Sequence, residues 1–283
     1  MIVQRRTRLY PLHIALRYLV LTAVAFVYIA PVLFMVVGSL KPDEAVLADA
    51  GTLRALAPTD VSLQNYRDVF RRVPFGRYLV NSLLVTGLIV GLGLVVNSMV
   101  GYAFARLRWR GRDVLFGLVL ALMILPLEVI VVPLFYQVTL FGWRNTYTAQ
   151  IVPFVGNAFA IYLFYSFFIG MPRDLEESAW ADGAGVLRTY VQIIVPNAKP
   201  VFASVTIITF LFFWGFYMWP LMVTIGPQVR PLPVGIAEFH TLPPLQWGDI
   251  MAFGVMMVTP VLVVFLVFQR WFVQGVAGTG IKG

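Results

Sequence analysis

The sequence predicts an all-α polytopic membrane protein with six transmembrane helices. Of its 283 residues, 60% are hydrophobic and only 12% are charged, whereas charged residues make up roughly a quarter of an ordinary soluble domain. The apolar residues also come in long runs almost free of charge, rather than in the periodic stripes of helices that face water on one side. Both observations indicate a chain whose solvent is the lipid bilayer.

Six apolar runs are long enough to span the hydrocarbon. A spanning helix needs about 20 mainly apolar residues, because every backbone polar group must pair within the segment. We predict an N-terminal tail at 1–17, a six-helix domain at 18–270 and a C-terminal tail at 271–283. The six predicted helices are Tyr18–Leu40, Tyr78–Ala105, Val114–Tyr136, Thr148–Ile169, Val201–Ile225 and Ile250–Gln269.

The distribution of arginine predicts that both termini are cytoplasmic. Short loops rich in Lys and Arg stay on the cytoplasmic side. The N-terminal tail and the loop after the second helix are rich in arginine, whereas the later loops on the other side hold only Arg144 and Arg230. The stretch between the first two helices is also basic, which runs against this orientation. The cytoplasmic arginines are Arg5, Arg6, Arg8, Arg106, Arg108, Arg110 and Arg112.

The composition argues against several other classes of protein. The net charge of +8 fits this topology, and the chain lacks a soluble domain on which a nucleic-acid groove could be built. There is no cysteine, and His13 and His240 are too few for a metal site. None of the three lysines follows a glycine, so the Gly-x-x-x-x-Gly-Lys phosphate loop is absent. We expect no metal, no cofactor and no ATP hydrolysis on this chain.

The loop between helices four and five, 171–200, has the most distinctive pattern. Asp174 and Glu177 have the spacing of a capping box, which predicts the start of a short helix. Gly183, after Asp182, permits a sharp change of direction. Pro196 is expected to end a second, amphipathic helix. Its apolar residues recur at helical spacing and predict one apolar face: Leu187, Tyr190, Val191 and Ile194. A pair of interfacial helices on the lipid headgroups is an alternative interpretation.

This loop resembles the EAA signature of binding-protein-dependent ABC importer permeases. The match comprises Glu177-Ser178-Ala179, Asp182-Gly183-Ala184 and Ile194-Val195-Pro196, with Ser178 in place of the usual first alanine. Other segments are similar to carbohydrate-type permeases such as the second membrane subunit of the maltose importer. These are Ser39-Leu40-Lys41-Pro42, Asn65-Tyr66, Asn81-Ser82, the segment 102–112 and the tail 269–283.

The resemblance implies a type I ABC importer permease in a bacterial or archaeal inner membrane. The 171–200 loop would dock as a coupling helix on a separate ATPase dimer, which binds ATP and Mg²⁺, with Glu177 and Gly183 as its most sensitive positions. Gly278 and Lys282 in the tail would reach toward that dimer. A second homologous permease and an extracytoplasmic solute-binding protein would complete the importer of a sugar or sugar-like solute.

Four residues are candidates for the solute pathway: Glu128, Asn157, Trp214 and Tyr217. Glu128 is the only acid inside a predicted helix, and such acids usually face a cavity or a partner. It could equally lie near the headgroups or pair with the second permease. Amides such as Asn157 and Gln137 often join helices. The aromatic residues of helix five could stack on a sugar, or could simply face lipid or its interface.

Other functions are compatible with parts of this pattern. A secondary transporter driven by an ion gradient would need inverted repeats and buried ion ligands. An ABC permease could carry a solute other than a sugar, because Gly215 and Phe216 stand where sugar permeases commonly have Asn-Asp after the tryptophan. A membrane anchor without transport activity would leave the patterned 171–200 loop unexplained.

Overall fold

The structure, a computed structural model, describes residues 10–58, 60–239 and 241–280, with side chains described for 14–58, 60–239 and 241–269. These residues form helices and no strands, which confirms the predicted all-α fold. The described residues up to Val73 form one compact unit with Phe239–Met256, and Pro74–Glu238 form a second with the described residues from Met257 onward.

Fifteen α-helices, a 3₁₀ turn and a π turn lie within the described residues. The helices up to Arg106 are α1 (Tyr10–Ser39), α2 (Asp43–Ala48), α3 (Gln64–Arg72) and α4 (Phe75–Arg106). The middle of the chain forms α5 (Arg112–Ile124), α6 (Leu127–Leu140), α7 (Tyr147–Val155), α8 (Ala158–Ile169) and α9 (Asp174–Ala181). The remaining helices are α10 (Val186–Thr189), α11 (Val195–Asn197), α12 (Lys199–Trp214), α13 (Met218–Val223), α14 (Leu232–Glu238) and α15 (Trp247–Gly280).

The described part of the chain has helices long and apolar enough for four membrane spans, or for as many as six. Four helical segments are long and apolar enough on their own: Ile14–Ser39, Phe75–Arg106, Tyr147–Ile169 and Trp247–Gln269. Two further spans are counted if each pair of bent helices is one crossing, namely α5 with α6 and the segment 186–197 with α12. The outer helices are longer than predicted, since α1 begins at Tyr10 and α15 runs to Gly280.

The predicted third and fifth helices are not continuous. The axis bends by 104° between α5 and α6, at Leu125-Pro126, because proline has no backbone N–H to donate and disfavours helical geometry in the residue before it. The fifth predicted helix ends at Trp214 and resumes at Met218, after Gly215. A continuous apolar run predicts the length of a crossing, but Pro and Gly decide where its axis breaks.

The side chain of Asn65 joins α3 to the end of α1 in the first unit. Its buried amide nitrogen donates hydrogen bonds to the main-chain oxygens of Ser39 (2.9 Å) and Lys41 (2.7 Å). Tyr66 and Ser39 share a hydroxyl hydrogen bond of 2.8 Å. The buried Lys41 ammonium donates to Asp49 at 2.7 Å. Two segments that carried the resemblance therefore meet in one network, which joins α3 to the end of α1.

Helix α4 is central in the second unit, where it packs against α7, α8, α12 and α14. Asn81 and Ser82, another part of the resemblance, tie it to the chain near α14: the Asn81 amide donates to the Arg230 carbonyl at 2.8 Å, and the Ser82 hydroxyl accepts from the Leu232 amide at 2.8 Å. Farther along α4, Gly101 lets α8 approach closely. These contacts place the far end of α4, which ends at Arg106, beside the 171–200 loop.

Candidate functional site

Helix α9 begins the conspicuous loop, but it has no capping box. Asp174 is the first helical residue rather than the N-cap, and Arg173, which precedes it, makes no side-chain capping bond. The prediction of a cap at Asp174 is therefore wrong, although the short helix is confirmed. Asp174, Glu176 and Glu177 all lie in the first turn, where the positive end of the helix dipole favours carboxylates.

The turn after α9 is a Schellman motif built on Gly183. Its φ of +81° lies in the left-handed region, which a residue with a Cβ atom enters at a steric cost. The amide of Ala184 donates to the Ala179 oxygen at 2.9 Å, and that of Gly183 to the Trp180 oxygen at 3.0 Å. The predicted glycine turn is confirmed, and it fixes the direction in which the chain leaves α9.

The residues of the EAA-like signature divide between an exposed and a buried face. Glu177, Ser178, Asp182 and Gly183 are exposed, whereas Ala179 is buried. A Cβ atom added to Gly183 would have no neighbour within 4 Å. This face of α9 and its turn is therefore open to another molecule, and the packing of the chain itself explains only the small side chain of Ala179.

The second half of the loop does not form a single apolar face. Tyr190 and Ile194 are buried, whereas Leu187 and Val191 are 64% and 54% exposed. A π turn at Tyr190–Ile194 follows α10, and its wider winding takes the residues out of the 3.6-residue period assumed in the prediction. Leu187 and Val191 are thus left on the surface together.

Pro196 lies in α11, which ends one residue later at Asn197. The axis then bends by 78° between the segment 186–197 and α12. The predicted stop near Pro196 is thus confirmed to within one residue. We call the whole loop from Met171 to Lys199 the elbow.

A buried ion pair attaches the elbow to α4. Nε of Arg106 lies 3.5 Å from Oε2 of Glu176, and both side chains are 3% exposed. The Arg106 guanidinium also donates to the main-chain oxygen of Met171. Deeper in the helix, the hydroxyls of Ser98 and Tyr190 share a hydrogen bond of 2.6 Å. The elbow is therefore held at its start and at its π turn by the same helix.

Asn157 lies at the break between α7 and α8 and lines a cleft of about 450 Å³ together with Gln137, Phe212 and Phe213. Its Oδ1 accepts from the Ala160 amide at 2.9 Å and so caps α8. The NH₂ group of the same side chain takes no part in this cap. A cleft of this size falls within the range of small-molecule sites.

The structure does not bring the other pathway candidates to this cleft. Trp214 is buried, and its indole N–H donates to the Met257 oxygen at 2.9 Å, so it joins α12 to α15. Tyr217 is 43% exposed and Glu128 lies exposed in the first turn of α6. Neither lines the Asn157 cleft. The lipid-facing interpretation is wrong for Trp214 and also for Trp219, which is fully buried.

Comparison with known proteins decides the family. Residues 93–278 match the family described as binding-protein-dependent transport system inner membrane component. The chain belongs to this family of ABC importer permeases. The predicted resemblance is confirmed, and the permease is a transport protein rather than an enzyme. It is a multi-pass membrane protein, and membership of the family implies an ATPase and a solute-binding protein as partners.

Individual relatives resemble the permease over nearly its whole length. It is 31% identical over 260 residues to the arabinooligosaccharides transport system permease protein AraQ of Bacillus subtilis, covering 92% of each chain. It is 30% identical over 264 residues to the trehalose/maltose transport system permease protein MalG of Thermococcus litoralis, covering 92% of this chain and 93% of the relative.

A solved structure shares the fold. One chain of a bacterial ABC transporter involved in the import of the acidic polysaccharide alginate superposes with a TM-score of 0.83. The two chains are 23% identical, and the match covers 96% of the permease and 99% of that chain. This likeness confirms the predicted permease fold.

The sequence does not predict the roles of three residues of the site: Arg106, Glu176 and Asn97. From the sequence, Arg106 is a cytoplasmic arginine within the 102–112 resemblance, and Glu176 is only the neighbour of the signature residue Glu177. Asn97 is buried in the apolar run of α4. Its side-chain NH₂ group donates to the main-chain oxygen of Val155, and its Oδ1 accepts from the main-chain N–H of Asn157, both at 2.9 Å. The signal for it was a polar residue within a spanning helix, which seldom lacks a partner.

The predicted C-terminal tail, 271–283, lies only partly within the residues that the structure describes. Gly278 lies in α15, and Lys282 lies outside the described residues, as do the arginines Arg5, Arg6 and Arg8 of the N-terminal tail. Contact of the tail with an ATPase stays a prediction.

Proposed function

We propose that the permease forms half of the translocation pathway of an ABC importer for a sugar or sugar-like solute and couples to a separate ATPase through the elbow. One observation carries the proposal: the signature residues Glu177, Ser178, Asp182 and Gly183 are exposed on a stiff turn whose opposite side is packed against the rest of the chain. The φ of +81° accounts for Gly183, but internal packing does not require the identity of Glu177, Ser178 or Asp182, so these three residues support a partner surface.

The surface of the elbow fits a protein partner. Beside the carboxylates of Glu177 and Asp182 it exposes the large apolar side chains of Trp180, Leu187 and Val191. Exposed apolar residues surrounded by charge are typical of protein interfaces. The absence of a phosphate-binding glycine–lysine motif from the sequence supports ATP and Mg²⁺ binding, and hydrolysis, on that partner rather than on this chain.

The arginine-rich loop at 107–111 and the elbow belong to the same side of the membrane. Arg106, which ends α4, contacts both Met171 and Glu176, so the two loops share a side. Arg108, Arg110 and Arg112 favour the cytoplasm for this side. We therefore infer that the elbow faces the cytoplasm, where ATP is available, and that both termini lie on that side too.

The solute class rests on two kinds of support. The two relatives described above are named for arabinooligosaccharides and for trehalose and maltose. The Asn157 cleft combines a side-chain amide with the rings of Phe212 and Phe213. Amides can bind hydroxyl groups, and rings can pack against the apolar face of a sugar. The rest of the pathway would come from a second permease subunit, with an extracytoplasmic binding protein delivering the solute.

The experiment is uptake by the reconstituted complex. The permease is assembled in lipid vesicles with an ATPase, a second permease and a solute-binding protein from the same genome. ATP hydrolysis and uptake of radiolabelled arabinooligosaccharide and maltose are then measured. Glu177→Lys is expected to abolish ATP-driven uptake while membrane insertion is kept, because it reverses a charge on the exposed face. Normal coupled uptake in this variant contradicts the docking role, and uptake driven by an ion gradient without ATP contradicts the whole proposal.

The solute class has its own test. The binding protein is titrated with sugars, with glycerol phosphate and with amino acids by calorimetry. Selective binding of a sugar supports the proposal. Selective binding of another class leaves the importer in place and overturns the sugar.

A further inference from the structure

Helix α4 presents three polar side chains to the elbow from one face. Ser98, Tyr102 and Arg106 are spaced by four residues, so they lie one above another along the helix. Ser98 hydrogen-bonds the Tyr190 hydroxyl, the Tyr102 ring lies 5.1 Å from the Tyr190 ring, and Arg106 pairs with Glu176. The elbow is covalently continuous with α8 and α12, and it is also held by side-chain contacts with α4, which is distant in sequence.

The contact nearest the C-terminal end of α4, between Arg106 and Glu176, is a buried ion pair. The Arg106 and Glu176 side chains are each 3% exposed, and the Arg106 guanidinium also donates to the Met171 oxygen. Within the described residues, Nε of Arg106, Oε1 of Glu176 and the Tyr102 hydroxyl have no hydrogen-bond partner. A buried carboxylate with so few other partners depends on its arginine, so separating the two would leave each charge desolvated and unpaired.

We propose that Arg106 and Glu176 form a latch that makes α4 move with the elbow. The inference rests on the proposed docking of the elbow onto an ATPase. It adds the contact through which a movement of the elbow is transmitted to the membrane helices. Glu177 lies on the exposed face that is proposed to bind the ATPase, whereas its neighbour Glu176 is buried and pairs with Arg106 of α4. The two glutamates are therefore positioning residues with separate roles. Glu177 contacts the ATPase, and Glu176 transmits the movement of the elbow to α4.

This division of tasks predicts two different defects. Glu177→Gln weakens binding of the ATPase, because it alters only the exposed face. Glu176→Gln leaves that face unchanged, so the ATPase still binds. Its uptake per ATP hydrolysed falls by about tenfold or more, as expected when a buried ion pair loses one charge. The charge swap of Arg106→Glu with Glu176→Arg re-forms the pair and is expected to recover part of the uptake.

A distance measurement tests the latch directly. The chain has no cysteine, so spin labels can be placed only at Arg173→Cys, at the N-terminal end of α9 and outside the signature, and at Val95→Cys on α4, both exposed. In the parent pair the distance distribution should be narrow and unchanged when an ATP analogue is added to the assembled complex. In the Glu176→Gln background it should broaden and shift with nucleotide, and in the Glu177→Gln background it should stay narrow.

The outcomes separate the latch from the docking. A distance in the parent pair that changes with nucleotide, or a Glu176→Gln variant with a narrow distribution and normal uptake, overturns the latch. If the ATPase fails to co-purify with the unmodified permease, the docking is wrong, and the distance in the isolated chain still tells whether the pair holds α9 to α4. If Glu176→Gln does not insert, the charge swap serves as the test, and failure of that variant to recover a narrow distribution overturns the latch.

Discussion

Gly101 of α4 lies directly against Phe164 of α8. A Cβ atom built on Gly101 would stand 2.6 Å from the Phe164 Cβ atom and 3.1 Å from the main-chain oxygen of Ile161. Small residues allow helix backbones to approach this closely within a membrane. The close contact brings together the helix that holds the elbow and the helix that leads into it.

Gly101→Leu should therefore destabilise the permease. Because the neighbouring backbone has no room to yield, we expect a loss of about 1–3 kcal/mol in the free energy of unfolding. The effect is read as a lower apparent melting temperature, from the fraction of purified protein that stays monodisperse in size-exclusion chromatography after heating. Gly91→Leu on the same helix is the matched control, because a Cβ atom there meets nothing within 4 Å. Equal stability of the two variants would show that the close approach is wrong.

Gly183 tests the geometry of the turn apart from its chemistry. Gly183→Val should uncouple ATP hydrolysis from uptake, because a β-branched residue resists the φ of +81° and would redirect the chain after α9. Gly183→Asn should retain most of the coupling, since asparagine tolerates the left-handed region far better. The ratio of solute taken up to ATP hydrolysed is measured in vesicles. Similar loss of coupling in both variants would point to a side-chain clash with the partner instead of a backbone effect.

Asn65 tests the network at the end of α1. Replacement by leucine removes both hydrogen bonds and leaves the oxygens of Ser39 and Lys41 without this donor. We expect a loss of about 1–3 kcal/mol, seen as a lower melting temperature of the detergent-solubilised permease. Gln64→Leu, at the exposed neighbouring position, should have little effect. A melting temperature unchanged by the Asn65 variant argues against the network.

Asn157 caps α8 and is proposed to donate a hydrogen bond to the solute, and one pair of variants can separate these two roles. Asn157→Ser keeps a capping oxygen for α8 but removes the NH₂ donor, so stability should stay near that of the parent while the KM for uptake rises by about two- to tenfold, the effect of one hydrogen bond. Asn157→Leu removes both and should lower stability as well. Uptake kinetics and melting temperature are measured side by side. An unchanged KM in the serine variant would exclude this amide from the pathway.

The broad architecture and the elbow were predictable because they depend on short-range chemistry. Long runs of apolar residues without charge predict burial in a bilayer. The adjacent residues Asp182 and Gly183 are enough to predict a left-handed turn. The capping box at Asp174 and the single apolar face of 187–194 were wrong for a different reason. Both assumed ideal helical geometry, whereas the start of α9 at Asp174 itself and the π turn at Tyr190 changed the register.

The sequence by itself determined that this chain spans a membrane, that its runs of hydrophobic residues become helices, and that Glu177 and Gly183 belong to a recognisable signature. Only the tertiary structure decided which of two adjacent glutamates turns inward, and that Arg106, some seventy residues earlier, is its partner. The physical reason is that exposure follows from local spacing, whereas the pairing of buried charges depends on which helices pack together. That packing is set by contacts such as Gly101 against Phe164, between residues distant in the chain.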